Sequence, residues 1–124
     1  MKAGEKTILI VEDDKLNRDA LRLFLKSKYK IETCDSEKPF FSILSSNKID
    51  LIIMDISLNG KKNGLELTEE IKKDPQYKNI PVICLTAHAK KADEKNALAA
   101  GVDAFITKPV SNNIVLQVIE EYLG

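Results

Sequence analysis

The sequence has no tryptophan, one histidine and two cysteines, and its 19 Lys+Arg balance 19 Asp+Glu to leave no net charge. Each shortage closes a class of function. Charge balance removes a bulk electrostatic attraction to nucleic acid or to an anionic membrane surface. The lone histidine, His88, and the two cysteines stand at no metal-ligand spacing, which argues against a zinc site. No apolar run approaches the roughly 18 residues that cross a bilayer. Met1–Lys6 is polar and has no signal-peptide core. The chain is therefore expected to be cytoplasmic, with neither nucleic acid nor membrane as a partner. What is present is an ordinary globular balance, 44% hydrophobic and 31% charged over 124 residues. That length predicts one domain over 1–124, burying about two thirds of its unfolded surface.

Short β-rich runs alternate with stretches of helical period, five times over. Strands are predicted at Thr7–Val11, Ile31–Cys34, Leu51–Met54, Val82–Leu85 and Ala104–Ile106. Leu16, Ala20, Leu23 and Phe24 fall on one face of a first helix. The second runs from about Glu37 to Ser46, with Pro39 tolerated in its first turn. The third, from about Leu65 to Lys73, stops before Asp74-Pro75. The fourth, around Asp93–Ala100, is rich in Ala and Lys and is the least anchored; Gly101 supplies a left-handed cap. The last carries Ile114, Val115, Val118, Ile119 and Tyr122 on one stripe. Strands separated by helices imply βαβ units and a parallel sheet covered on both faces. Right-handed crossovers give an α/β, flavodoxin-like doubly wound sheet of order 2-1-3-4-5. In that order the strands of Cys34 and Cys84 lie three spacings apart, about 14 Å at ~4.8 Å each. A disulfide needs Cα atoms within about 7 Å, so both are expected to be buried, reduced thiols.

Four of the runs end in a residue suited to phosphate chemistry: Glu12-Asp13-Asp14, Asp55, Thr86 and Lys108-Pro109. Ligands bind outside the carboxyl ends of such strands, at the switch point between the first and third. Carboxylates crowded there keep ordinary pKa values only with a cation among them. Oxygen-only ligation with room for water suits Mg²⁺, with Mn²⁺ the alternative. Asp14 is best placed as the N-cap of the first helix. Asp55 ends an apolar strand, where a fixed carboxylate beside a metal can act as a nucleophile toward phosphorus. Lys108 is expected to pair with Asp55 and then with the phosphoryl group, and Thr86 to give its hydroxyl to a phosphoryl oxygen.

The motifs Ile8-Leu-Ile-Val-Glu-Asp-Asp14, Ile52-Ile-Met-Asp55, Pro81-Val-Ile-Cys-Leu-Thr-Ala87 and Phe105-Ile-Thr-Lys-Pro109 resemble the receiver domain of two-component response regulators over essentially the whole chain. The resemblance implies that Asp55 accepts a phosphoryl group from a phosphohistidine on a sensor histidine kinase or a histidine phosphotransfer protein. It makes Asp13 a direct Mg²⁺ ligand, Glu12 a ligand through water and the main-chain carbonyl of Ser57 a third contact. Thr86 and Lys108 become phosphoryl contacts, and Phe105 the aromatic whose rotamer follows the Thr86 hydroxyl. A cis Lys108–Pro109 bond is also implied, and only X–Pro bonds make cis accessible. A phosphorylated receiver acts by presenting a rearranged face, at the fourth helix, fifth strand and fifth helix, to a downstream protein.

Two departures stand out. Asn59 replaces the usual proline four residues after the phosphoacceptor, and Gly64 arrives nine residues after Asp55 instead of eight. The longer, basic Asn59–Gly64 loop bears on kinase recognition, whereas the metal ligands precede it. Ser57 and His88, each two residues past a site residue, match positions that tune dephosphorylation in similar proteins; an exposed loop histidine is the blander reading of His88. A phosphohydrolase of the haloacid dehalogenase kind would carry a second aspartate where this chain has Ser57, which cannot protonate a leaving alkoxide. The chain is thus expected to be a phosphoacceptor switch, not a turnover enzyme, and a monomer or weak dimer. No output domain is recognisable; Met1 and the short tails favour a complete chain over the receiver of a hybrid kinase or larger regulator.

Overall fold

The computed structural model describes residues 5–55, 64–86 and 91–124, the side chains of 91–93 excepted. Ser57, His88 and the loop positions 59–63 lie outside the described residues. Five strands alternate with five helices: β1 (Thr7–Val11), α1 (Lys15–Leu25), β2 (Lys30–Cys34), α2 (Glu37–Ser46), β3 (Leu51–Met54), α3 (Gly64–Lys72), β4 (Val82–Thr86), α4 (Lys91–Ala100), β5 (Ala104–Thr107) and α5 (Asn112–Leu123). The strands form one parallel sheet in the order β2-β1-β3-β4-β5, as the βαβ alternation predicts. Element ends differ from the sequence expectation by one or two residues, β4 and β5 each taking in a threonine.

β1, β3 and β4 are buried along their whole length, which is why they read as apolar runs without alternation. One face of the sheet packs Leu9, Ile52 and Cys84 against Phe40 and Leu44 of α2, Leu67 and Ile71 of α3, and Ala97 of α4. The other packs Ile8, Ile10, Ile53 and Leu85 against Leu25 of α1 and Val115 and Ile119 of α5. Cys34 and Cys84 are buried thiols that form no disulfide, on strands three places apart in the sheet. Gly101 ends α4 at φ 108°, a conformation that glycine adopts without steric cost.

Two helix faces differ from expectation. Leu16 is 79% and Leu23 57% exposed, and Ala20 is exposed too; of the expected stripe only Phe24 packs inward, joined by Leu21 and Leu25. Both stripes satisfy a helical period, so periodicity cannot choose between them. The phase is set where the chain turns back from β1: Asp14 caps α1, its side chain accepting from Leu16 N at 3.2 Å. In α5, Val115 and Ile119 are buried, whereas Ile114 and Tyr122 are 49% and 40% exposed. Tyr122 lies across the edge of its helix, where its hydroxyl donates to the Asp103 carbonyl at 2.9 Å.

Candidate phosphoacceptor site

Strand register brings the acidic residues together. Val11 is level with Met54, so Glu12 and Asp55 leave adjacent strands side by side. Backbone bonds carry the sheet up to that point: Asp55 N–H donates to Val11 O at 3.0 Å and Glu12 N–H to Cys34 O at 3.0 Å. Carboxylate oxygens of Glu12, Asp13 and Asp55 lie within 4.8 Å of one another. Glu12 is only 6% exposed; Asp13 and Asp55 are half-buried.

Glu12 is bonded at every polar group. Beyond its N–H, its main-chain carbonyl accepts from Arg18 Nη1 at 2.9 Å. One carboxylate oxygen accepts from Lys108 Nζ at 3.0 Å, the other from Asp14 N at 3.3 Å. The ion pair that the structure shows for Lys108 therefore runs to Glu12, where sequence reasoning had paired this lysine with Asp55. The physical reason is burial: Glu12 is the most enclosed of the acids, so its charge most needs a partner. Lys108 is itself placed by β5, with its N–H donating to Thr86 O at 2.8 Å; the Lys108–Pro109 bond is cis.

The crowding shows in the titration of the acids. Burial, then the adjoining Asp55 carboxyl, pushes Glu12 above the ordinary carboxylate range, with Lys108 pulling the other way. Burial, then Glu12, raises Asp13. Three carboxyl groups with hard oxygen donors within 4.8 Å of one another fit a small divalent cation of the Mg²⁺ type. Thr86 is fully buried at the end of β4. Phe105, level with Cys84, packs half-buried against the α2–α3–α4 face of the core. A cleft of about 360 Å³ between α1 and α5 opens beside the Lys108–Glu12 pair, lined also by Asn17, Leu21, Pro109 and Asn112.

Two features escaped sequence reasoning. The Arg18 contact spans six residues and has no motif; its only trace is a cation one turn into a helix that opens on acids. Gly64 was visible as a late glycine, but not its role. A Cβ there would overlap the Asp55 carbonyl oxygen and come within 2.9 Å of Met54 Cγ, so the backbone of α3 leans directly on Asp55.

The model of the response regulator receiver domain matches residues 8–120. The polar-differentiation response regulator DivK of Brucella ovis is 38% identical over 120 residues, covering 96% of this chain and 97% of DivK. Among solved structures, a two-component response regulator from Clostridium difficile superposes with a TM-score of 0.88 at 28% identity, covering 96% of each chain. The receiver domain of a sensor histidine kinase from Pseudomonas aeruginosa, solved with a magnesium ion coordinated in its active-site cleft, superposes with a TM-score of 0.84 at 27% identity, covering 97% of this chain and 98% of that one. Sheet order, acidic strand ends and these likenesses agree: the chain belongs to the response regulator receiver family of two-component signalling proteins.

Proposed function

We propose that Asp55 is the phosphoacceptor and that Glu12, Asp13 and Asp55 hold Mg²⁺, with Mn²⁺ as a substitute. The observation that carries this reading is the convergence of those three carboxylates within 4.8 Å beside a lysine already drawn to the cluster. Asp13 and Asp55 would bind the cation directly, Glu12 through water, and the main-chain carbonyl of Ser57 would complete the protein's share. When bound, the cation supplies charge neutralisation at the phosphoryl oxygens.

The chain's own residues do the rest. An Asp55 carboxylate oxygen attacks phosphorus, forming an acyl phosphate as the bond from phosphorus to a donor imidazole nitrogen breaks and its electron pair returns to the ring. The donor is a phosphohistidine of a sensor kinase or a histidine phosphotransfer protein, which places the protein in the cytoplasm. Lys108 exchanges part of its hold on Glu12 for the phosphoryl group, and the Thr86 hydroxyl follows. Phe105, one strand away, takes up the space that Thr86 vacates. The outcome is a changed α4–β5–α5 face for a downstream protein. In this reading residues 1–124 are one domain acting as a switch, not a turnover enzyme, and as a monomer or weak dimer.

Intact mass after incubation with Mg²⁺ and acetyl phosphate tests the assignment. One added phosphoryl group is expected in the wild type, and none in EDTA or in Asp55→Asn. An adduct of equal yield in Asp55→Asn would sink it.

A further inference from the structure

We propose that Arg18 is a positioning residue for the metal site: by holding the Glu12 main-chain carbonyl, its guanidinium fixes the peptide that aims the Asp13 carboxylate at Glu12 and Asp55. The inference rests on the Mg²⁺ reading of that cluster. Beyond Glu12 N–H, which bonds Cys34 O, β1 has left the sheet ladder. The donor that the described residues provide to the Glu12 carbonyl is Arg18 Nη1, at 2.9 Å. A trans peptide is planar, so fixing that carbonyl fixes the Asp13 N–H on its opposite side and restricts the rotation that carries the Asp13 side chain.

Three observations favour a role in the site over a generic surface bond. Arg18 stands in the first turn of α1, its N–H donating to Asp14 O at 2.9 Å. A cation is unfavourable there against the positive end of the helix dipole; a broken local rule points to a function. The phase of α1 is the one that aims Arg18 back at β1: Arg18 is half-buried on the side of Leu21 and Leu25, while Leu16 and Leu23 face outward. Finally, Glu12 is gripped twice by cations, at its carboxylate by Lys108 and at its carbonyl by Arg18. Lys108 reaches the site from β5 and is bound for the phosphoryl group. Arg18, on α1, is free to stay and keep the acidic turn in place.

Calorimetric titration with Mg²⁺, alongside the amide NMR spectrum of the metal-free protein, tests this. Arg18→Met keeps the stem and removes the donors. It is expected to raise the Mg²⁺ dissociation constant about tenfold, the usual scale for a residue that orients a metal ligand. The metal-free amide shifts of Asp13 and Asp14 should move as well. Acetyl phosphate should then label Asp55 more slowly at low Mg²⁺ but at the wild-type rate at saturation. Arg18→Lys, which retains a cationic donor group, should recover much of the affinity, and Arg22→Met, one turn on, should match wild type. An Arg18→Met affinity within twofold of wild type would overturn the role, as would an equal loss in Arg22→Met. Failure of the wild type itself to bind Mg²⁺ would instead bring down the site reading beneath it, and with it this one.

Discussion

At the scale of the residue, the backbone beside Asp55 leaves no room for an added side chain. Gly64 lies so close that an added Cβ would overlap the Asp55 carbonyl oxygen and crowd Met54 Cγ at 2.9 Å. Backbone cannot swing aside as a side-chain tip can, so Gly64→Ala should cost about 1–3 kcal/mol. It should also slow labelling of Asp55; urea unfolding and acetyl phosphate kinetics together check it. Cys34 shows burial acting on a titratable group. Its thiol is pushed up from 9.0 to about 12, chiefly by desolvation. A raised acid pKa adds stability below the unfolded value that is lost as pH rises toward the folded one. Above about pH 9 the unfolded thiol ionises and the folded one does not, so stability should fall by about 1.4 kcal/mol per pH unit from this group. Urea unfolding of wild type against Cys34→Ala at pH 8, 9.5 and 10.5 measures the difference; parallel curves would contradict it.

At the scale of the element, α1 carries two overlapping apolar stripes and the sheet accepts one. Leu25 is fully buried, whereas Leu23 is 57% exposed. Leu25→Ala should therefore cost about 2–5 kcal/mol, and Leu23→Ala no more than about 0.5 kcal/mol. Thermal unfolding of the pair distinguishes this phase of the helix from the one that periodicity alone suggests. The reversed order, with Leu23→Ala the costlier, would restore the expected stripe. α4 contrasts with its neighbours. Among its described residues the buried apolar side chains are Ala97 and Ala100, while Leu98 is 53% exposed. Small contacts of this kind hold a helix weakly, which suits the rearranging face proposed for it.

At the scale of the whole molecule, the acidic cluster sets fold stability against function. Glu12 and Asp13 both titrate above their ordinary values, 4.5 and 3.8, in the metal-free fold. In that range the folded protein holds protons that the unfolded chain has released, so the stability these groups add to the metal-free fold is present below the ordinary values and is lost as pH rises from them through the raised ones. A bound divalent cation reverses the trend, because it needs the carboxylates ionised. The rise in Tm on adding Mg²⁺ should therefore be larger at pH 7.5 than at pH 5.5, and EDTA should abolish it. Equal gains at both values would show that the cation binds elsewhere.

The apolar runs, their lengths and the polar residues that end them are local features, and they sufficed for the sheet order and for bringing Glu12, Asp13 and Asp55 to one edge. A parallel strand buried on both faces must be apolar throughout, and a right-handed crossover leaves few ways to order the strands. The N-cap at Asp14 and the glycine ending at Gly101 followed from equally local rules, and the absence of a disulfide from the sheet order. Other features were decided by packing. Which of two carboxylates holds Lys108 depends on relative burial at the end of a flexible four-carbon stem, and Glu12 is the more enclosed. Which stripe of α1 faces inward depends on where the chain turns at the end of β1. That Gly64 touches Asp55, and that Arg18 reaches the carbonyl of Glu12, are matters of an ångström or two between segments whose spacing no sequence pattern carries. Period and composition encode direction along the chain; the choice among near-equal partners is made only when the elements close on one another.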